Sequence, residues 1–151
     1  MLTHHFNWKR LSMAGALGFA PDASSAFLFY GMRAGSYNDE ALIEFLEALH
    51  TELVGGKVTI VWDRLASHRS KAMTAWVKSQ RSWVRTELLP PYGHDLNPIE
   101  LVWGNVKSSE LANYCADTIA EAAEVADAGL GPIGGDRARC SAFLRHTGLS
   151  L

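Results

Sequence analysis

Two apolar runs separated by a turn stand near the start of the chain. They cover residues 8–17 and 26–30, and Gly18, Pro21 and Asp22 lie between them. Short apolar runs bounded by Gly, Pro and Asp are typical of strands that a turn connects. The pattern predicts a β-hairpin with Asp22 at its turn, where Asp is favoured because its side chain bonds to the nearby backbone.

A helix and a buried strand are predicted next. Asn38 is a suitable N-cap, and apolar residues recur after it at helical spacing until Gly55. These residues are Leu42, Ile43, Phe45, Leu46, Leu49 and Leu53. Residues 57–62 then form a short run that carries no charge from Val58 onward and ends in Asp63. An uncharged apolar run of this length favours a central strand buried on both faces.

A second helix, a short strand and a third helix follow. Ser67 is the expected cap of the second helix, whose buried face comprises Ala72, Met73, Trp76 and Val77. Residues 83–89 predict the strand, and residues 97 to about 114 predict a long helix. Asn97 is the natural N-cap of this helix and Pro98 its first residue, because proline already has the φ angle of that position.

The last part of the chain is predicted to be helical with one interruption. Residues 116–128 are rich in Ala and Glu and predict a helix, whereas the glycines of residues 129–135 predict a flexible break. Arg137 to His146 forms a last short helix, which ends near Gly148. This tail carries no recognisable chemistry. Packing against the sheet and self-association are two open roles for it.

Two acids stand where such elements bring functional groups together. Asp63 follows the central strand, and Glu100 lies in the first turn of the third helix. Ligands of open α/β folds bind beyond the carboxyl ends of the strands, and two carboxylates there are suitable ligands for Mg²⁺. The alternatives are structural. Asp63 would shape the loop after its strand, and Glu100 would complete a capping box with the backbone N–H of Asn97.

The same residues carry a family resemblance. The stretch Leu-Pro-Pro-Tyr-x-x-Asp-Leu-Asn-Pro-Ile-Glu-x-x-Trp-x-x-x-Lys runs from Leu89 to Lys107, and Trp62-Asp63 precedes His68 by the family spacing. These motifs resemble the catalytic domain of transposases from the bacterial insertion-sequence branch of the mariner superfamily. The resemblance covers most of the chain, from about Arg10 onward.

The resemblance implies a fold and a site. It implies an α/β, ribonuclease H-like three-layer fold, a mixed sheet flanked by helices, whose first strand is missing here. Residues 1–115 would form the N-terminally truncated catalytic core, and residues 116–151 the helical tail. An Asp-Asp-Glu triad binds two Mg²⁺ (or Mn²⁺) ions in the intact family, with Asp63 as its second member and Glu100 as its third. The first Asp is not recognisable in this chain, since Asp22 lies at a hairpin turn.

Residues around the two acids receive supporting roles. His68, Asp95 and Asn97 are expected beside the metal ligands, the last two holding the loop through side-chain bonds to the backbone. A purely structural role is an equally open alternative for His68. Tyr92 is expected either to stack on a base or to pack. Two residues depart from the family pattern: Arg64 replaces Asn or a small residue, and His94 replaces Pro. Arg64 would contact phosphate or pair with Asp63, where it would take the place of the metal.

Charge and composition add little on their own. The chain has 151 residues, a net charge of −2 and a pI near 6.3, so total charge does not indicate a nucleic-acid partner. Residues 64–86, however, contain six basic residues and no acid. The expected DNA contacts are Arg64, Arg69, Lys71, Lys78 and Lys107, although charge alone favours a solvated helix surface as the explanation of such a cluster. Cys115 and Cys140 fit no metal or redox spacing, which indicates small core residues in a reducing compartment.

We therefore expect a C-terminal fragment of an Asp-Asp-Glu transposase. In its full-length form such an enzyme cleaves and transfers DNA strands with Mg²⁺, and the fragment alone is expected to be inactive. Its partners would be double-stranded transposon ends and a second subunit, in the bacterial cytoplasm or nucleoid and without membrane contact. One alternative is a non-enzymatic DNA-binding or dimerising remnant that interferes with the full-length enzyme. Another is a small hydrolase whose metal ligands are Asp63, His68 and Glu100.

Overall fold

An antiparallel hairpin comes first in the computed structural model, which describes residues 11–109 and 117–148. Strand β1 (Leu11–Phe19) pairs with β2 (Ala26–Ala34) in the register that sets Gly15 opposite Tyr30. The hairpin prediction is confirmed for these residues, and residues 8–10 lie outside the described ranges. Asp22 lies at the turn as predicted, where its Oδ1 accepts a bond of 2.9 Å from the Ser24 amide.

Helix α1 and a parallel pair of strands form the next layer. Helix α1 (Asp39–Glu52) begins as predicted, because Asn38 Oδ1 accepts a bond of 2.9 Å from the Ala41 amide. Strand β3 (Val58–Trp62) then pairs with β4 (Val84–Leu88), and helix α2 (Lys71–Ser79) connects them. The described strands thus form two separate two-stranded sheets.

Three helices follow β4. Helix α3 (Pro98–Ser109) begins at Pro98 as predicted, and α4 (Ile119–Gly134) and α5 (Arg137–His146) complete the described chain. The predicted end of the third helix, near Tyr114, falls outside the described residues. None of the helices within the described ranges is both long and apolar enough to cross a membrane.

Two apolar clusters hold these layers together. The first joins one face of the hairpin to α3, α4 and α5, and its buried members are Leu28, Val102, Val106, Leu130, Ile133 and Cys140. The second joins the opposite face and β3 to α1 and α2, and its buried members are Leu42, Phe45, Leu46, Leu49, Trp62 and Met73. The hairpin is therefore a middle layer with helices on both sides. The tail helices pack back on the sheet, which is one of the two roles left open for them.

The α3 layer lies unusually close to β1. A Cβ atom added at Gly15 would lie 2.6 Å from the Trp103 indole, closer than real side chains approach. A larger residue at this position of β1 would therefore require the Trp103 side chain to shift.

Three local predictions are wrong. Strand β3 is not buried on both faces, because Thr59 and Val61 are exposed, Val61 to 54%, on the face that no described helix covers. Ser67 does not cap α2. It lies in a 3₁₀ helix (Ala66–Arg69), and Ser70 caps α2 instead by accepting from the Met73 amide.

The predicted break at residues 129–135 is the third error, because α4 continues through it to Gly134. Leu130 and Ile133, both fully buried in the first cluster, stabilise the helix there in spite of its glycines and Pro132. Cys140 is a buried core residue as predicted, and its burial raises the pKa of the thiol. Cys115 lies outside the described residues.

Candidate metal centre

Parallel pairing of β3 and β4 brings two loops to one edge of the sheet. Asp63 directly follows β3, and Leu89 directly follows β4. The Leu89 amide donates to the carbonyl of Trp62 over 2.8 Å, so the pairing continues to the last residue of β3. The segment that leads from Leu89 to α3 therefore starts beside Asp63, because carboxyl ends of parallel strands meet at one edge.

Asp63 is held at its backbone carbonyl, which forms a hydrogen bond of 3.1 Å with His68 Nδ1, and at its carboxylate. Its Oδ1 accepts a bond of 3.1 Å from the Leu65 amide and lies 2.9 Å from His68 Nδ1. The His68 ring stacks on Trp62, with the ring centroids 4.5 Å apart and the planes 8° from parallel. Asp63 is therefore oriented by the loop that follows it, while Oδ2 has no bond from either of these groups.

Glu100 reaches the same edge through a short 3₁₀ helix (Gly93–Leu96) after the two prolines. The helix is held by backbone bonds, with the Gly93 amide donating to Pro90 and the Asn97 amide to His94. The Asn97 amide is the group that a capping box would pair with the Glu100 carboxylate. Since this amide donates to His94 over 3.0 Å, the capping-box interpretation of Glu100 is wrong.

The structure brings Asp63 and Glu100 together, and it adds His94. One ligand atom of each of these three residues lies within 4.8 Å of the others, and they form the one such group among the described residues. His94 Nε2 lies 3.5 Å from Glu100 Oε2. The side chains of Asp63 and Glu100 are 19% and 34% exposed, so both face a site that solvent and ions can enter.

The imidazole in this group is not the one that the hydrolase alternative required. His68 contacts Asp63 but is not part of the group that includes Glu100, so the ligand set Asp63, His68 and Glu100 is not assembled. Sequence reasoning treated His94 only as a departure from the family pattern. The signal was present, because a histidine replaces a residue without donor atoms six positions before a proposed ligand.

These three residues suit a divalent cation. Carboxylate oxygens are preferred by Mg²⁺ and Mn²⁺, and an imidazole nitrogen is a common ligand of transition metals. The group contains two carboxylates, and no other acid among the described residues belongs to it. Asp22, at the hairpin turn, bonds to Ser24.

Arg64 does not occupy the position of a metal. Its Nε donates to the carbonyl of Leu89 over 2.9 Å, and the Nε of Arg69 donates in turn to the carbonyl of Arg64 over 3.1 Å. Neither arginine forms a salt bridge with Asp63. The side chain of Arg64 thus ties the loop after β3 to the end of β4, and the pairing of Arg64 with Asp63 is not observed.

The other predicted site residues lie at the surface around this edge. Asp95 is exposed and Asn97 is half-buried, and neither makes a side-chain hydrogen bond within the described ranges, so their expected loop-holding bonds are not found. Tyr92 is fully exposed with a left-handed φ of 62°, which excludes the packing role. All five predicted DNA contacts are exposed, namely Arg64, Arg69, Lys71, Lys78 and Lys107. In the part of the chain that the structure describes, no lysine or arginine pairs with a carboxylate.

Comparison with known proteins gives a family and a fold. The family model described as "DDE superfamily endonuclease" matches residues 4–120, well over half of the chain. No curated protein matches the chain significantly.

Two solved structures share the fold. The Mos1 mariner paired-end complex with Mn superposes with a TM-score of 0.57 and 14% identity, over 91% of this chain and 51% of that one. The Mos1 transposase paired-end complex with the left transposon end gives 0.50 and 14%, over 91% and 55%. The chain thus spans about half the length of these Mos1 chains. The likeness confirms the predicted ribonuclease H-like α/β fold.

Proposed function

Because the chain belongs to the DDE superfamily of endonucleases, we propose that it carries part of a centre that cleaves and transfers strands of DNA. The observation that supports this most directly is the meeting of Asp63 and Glu100 at one edge of the sheet. Asp63 follows β3, whereas Glu100 lies in the first turn of α3, 37 positions later in the sequence. Two carboxylates and an imidazole placed in this way suit a divalent cation.

Each group of residues has a separate proposed role. Asp63 and Glu100 would hold Mg²⁺ or Mn²⁺, and the bound ions supply electrostatic stabilisation at the attacking and leaving oxygens of phosphoryl transfer. His68 would position Asp63, because its Nδ1 forms a hydrogen bond of 3.1 Å with the Asp63 carbonyl and lies 2.9 Å from Oδ1. The exposed arginines and lysines of residues 64–86 bind the phosphate backbone, since no acid of the described residues neutralises them.

The DNA partner is proposed to be a double-stranded transposon end. Both Mos1 structures are paired-end complexes, and one contains the left transposon end. We propose that this protein also pairs two transposon ends and that it does so as a dimer. The division into a catalytic core, residues 1–115, and a helical tail, residues 116–151, belongs to the same proposal.

The chain on its own is proposed to bind DNA without cleaving it. The family site needs three acids, and the described residues supply two. The test measures Mn²⁺ binding and plasmid nicking by the wild type, Asp63→Ala and Glu100→Ala. We expect ion binding that both substitutions weaken at least tenfold, and nicking no faster than that of Asp63→Ala.

Each contrary result would reject a different part of the proposal. Ion binding that is indifferent to both substitutions would remove the metal centre. Rapid nicking by the wild type, abolished in Asp63→Ala, would show instead a complete nuclease within this chain.

A further inference from the structure

We propose that His94 is a third ligand of the metal centre and makes it selective for transition-metal dications, such as Mn²⁺, over Mg²⁺. The inference rests on the proposed function, because it takes Asp63 and Glu100 as the other two ligands. It goes further by assigning a role to a residue that is not an acid. It also names the class of ion that the centre binds most tightly.

Geometry supports a direct bond from His94. Neighbouring ligands of an octahedral ion, each about 2.1 Å from the metal, lie about 3 Å apart, and opposite ligands lie about 4.2 Å apart. His94 Nε2 and Glu100 Oε2 are separated by 3.5 Å, and every pair in the group with Asp63 is within 4.8 Å. Shifts of well under about 1 Å per atom would bring all three within bonding distance of one ion.

The backbone around His94 supports the same position. His94 lies in the 3₁₀ helix that ends two residues before α3, and its carbonyl accepts from the Asn97 amide over 3.0 Å. This bond fixes His94 relative to the first turn of α3, where Glu100 lies. The imidazole is 64% exposed, so it can turn towards an ion without disturbing a packed core.

The selectivity follows from the ligand type. Mg²⁺ is a hard ion that prefers oxygen and keeps several waters, so an imidazole adds little to its affinity. Transition-metal dications accept imidazole nitrogen readily, and their affinity for nitrogen-containing sites rises from Mn²⁺ towards Cu²⁺. A site with two carboxylates alone would bind Mg²⁺ and transition-metal dications with more similar affinities. The simplest alternative is a weak surface ion pair between His94 and Glu100, which would leave ion preference unchanged.

Mn²⁺ binding to the wild type, His94→Ala and His94→Gln tests the proposal. Electron paramagnetic resonance reports free Mn²⁺, and competition with Mg²⁺ gives the ratio of the two affinities. Pulsed measurements on bound Mn²⁺ detect a directly bonded imidazole nitrogen. His146→Ala is the matched control, because this histidine is exposed in the last turn of α5. The double variant Asp63→Ala/Glu100→Ala measures ions bound elsewhere.

We expect both His94 variants to lower the preference for Mn²⁺ over Mg²⁺ about tenfold and to abolish the nitrogen signal. His146→Ala should change neither. Binding that needs Asp63 and Glu100 but ignores His94 would overturn this inference and leave the proposed function intact. Binding that also ignores the two acids would overturn both.

Discussion

Asp63 shows how one side chain can be oriented before any ion binds. A carboxylate at the end of a strand has many rotamers, yet here Oδ1 accepts from the Leu65 amide and lies 2.9 Å from His68 Nδ1, which also bonds to the Asp63 carbonyl. His68 is itself fixed by stacking on Trp62, whose side chain is buried beneath it. The contacts from Trp62 through His68 to Asp63 thus link the apolar core to the candidate metal centre.

Replacing His68 should weaken the metal centre without unfolding the protein. His68→Ala removes the donor to Asp63, and we expect about 10- to 100-fold weaker Mn²⁺ binding. His68→Gln keeps an N–H donor and should recover part of the loss, which separates orientation of Asp63 from general destabilisation. Titration with Mn²⁺, alongside a thermal unfolding curve for each variant, checks this. Equal affinity in the wild type and His68→Ala would show that the contact has no role in binding.

The two acids that the fold brings together each have a local signature in the sequence. Asp63 ends an apolar strand and Glu100 begins a helix, so each is marked by its neighbours in the chain. The roles of His68 and His94 depend on which atoms the folded loops bring together. His68 was expected near the metal, but its bond to Asp63 and the approach of His94 to Glu100 are properties of the fold.

At the scale of elements, α4 shows tertiary packing overriding local propensity. Its last turns contain three glycines and a proline, which each disfavour a helix interior. Leu130 and Ile133 are nevertheless completely buried against the hairpin, α3 and α5. Burial of two large aliphatic side chains contributes about 3–6 kcal/mol, enough to offset the poor propensity of this segment.

Leu130→Ala measures that packing. A fully buried leucine replaced by alanine costs about 2–5 kcal/mol, because transfer free energy is lost and a cavity remains. Leu65→Ala is the control, since Leu65 is 57% exposed and should change the free energy of unfolding by less than about 0.5 kcal/mol. Chemical denaturation gives both values. Similar small effects for the two variants would mean that residues 129–135 do not contribute to the core.

The contact between β2 and α4 predicts a pH dependence. Burial, assisted by the hydrogen bond to Asp127, raises the pKa of Tyr30 from 10.0 to about 12. The folded state therefore keeps the Tyr30 hydroxyl proton more tightly than the unfolded state does. The resulting contribution to the free energy of unfolding is complete below pH 10 and is lost between pH 10 and about 12.

The free energy of unfolding should therefore fall less steeply above pH 10 in Tyr30→Phe than in the wild type. Denaturation at about pH 9 and about pH 11 measures the difference. Tyr92→Phe should behave as the wild type, because Tyr92 is fully exposed. A decline in Tyr30→Phe as steep as that of the wild type would contradict the assignment.

Elements were predicted well where their signals are local, and less well where they depend on distant partners. The Asn38 cap and the Pro98 start were read correctly from two or three residues. The prediction of Ser67 as the cap of α2 was wrong, because residues Ala66–Arg69 form a 3₁₀ helix and Ser70 is the cap. The composition of β3 is that of a strand covered on both faces, yet Val61 is exposed, since no described helix covers that side.

At the scale of the whole molecule, charge is segregated although the net value is only −2. Six basic residues and no acid occupy residues 64–86, immediately after Asp63, and the basic side chains have no acidic partners among the described residues. A DNA backbone that reached the metal centre would pass close to this segment. The small net charge therefore gives no indication of DNA binding, whereas the distribution of charge along the chain favours it.

Salt dependence of DNA binding tests this arrangement. Neutralising Arg69, Lys71 and Lys78 to Gln should weaken binding to any duplex and lower the slope of log K against log salt by about one for each phosphate contact removed. The matched control neutralises Lys57, Arg137 and Arg145, which are exposed but lie outside the basic segment, so it changes net charge by the same amount. Fluorescence anisotropy with a labelled duplex at several salt concentrations measures both slopes.

Asp63→Ala should bind DNA like the wild type, because the phosphate contacts are separate from the metal ligands. Equal losses in the two triple variants would mean that net charge alone attracts DNA to this protein and that the basic segment is only a solvated surface.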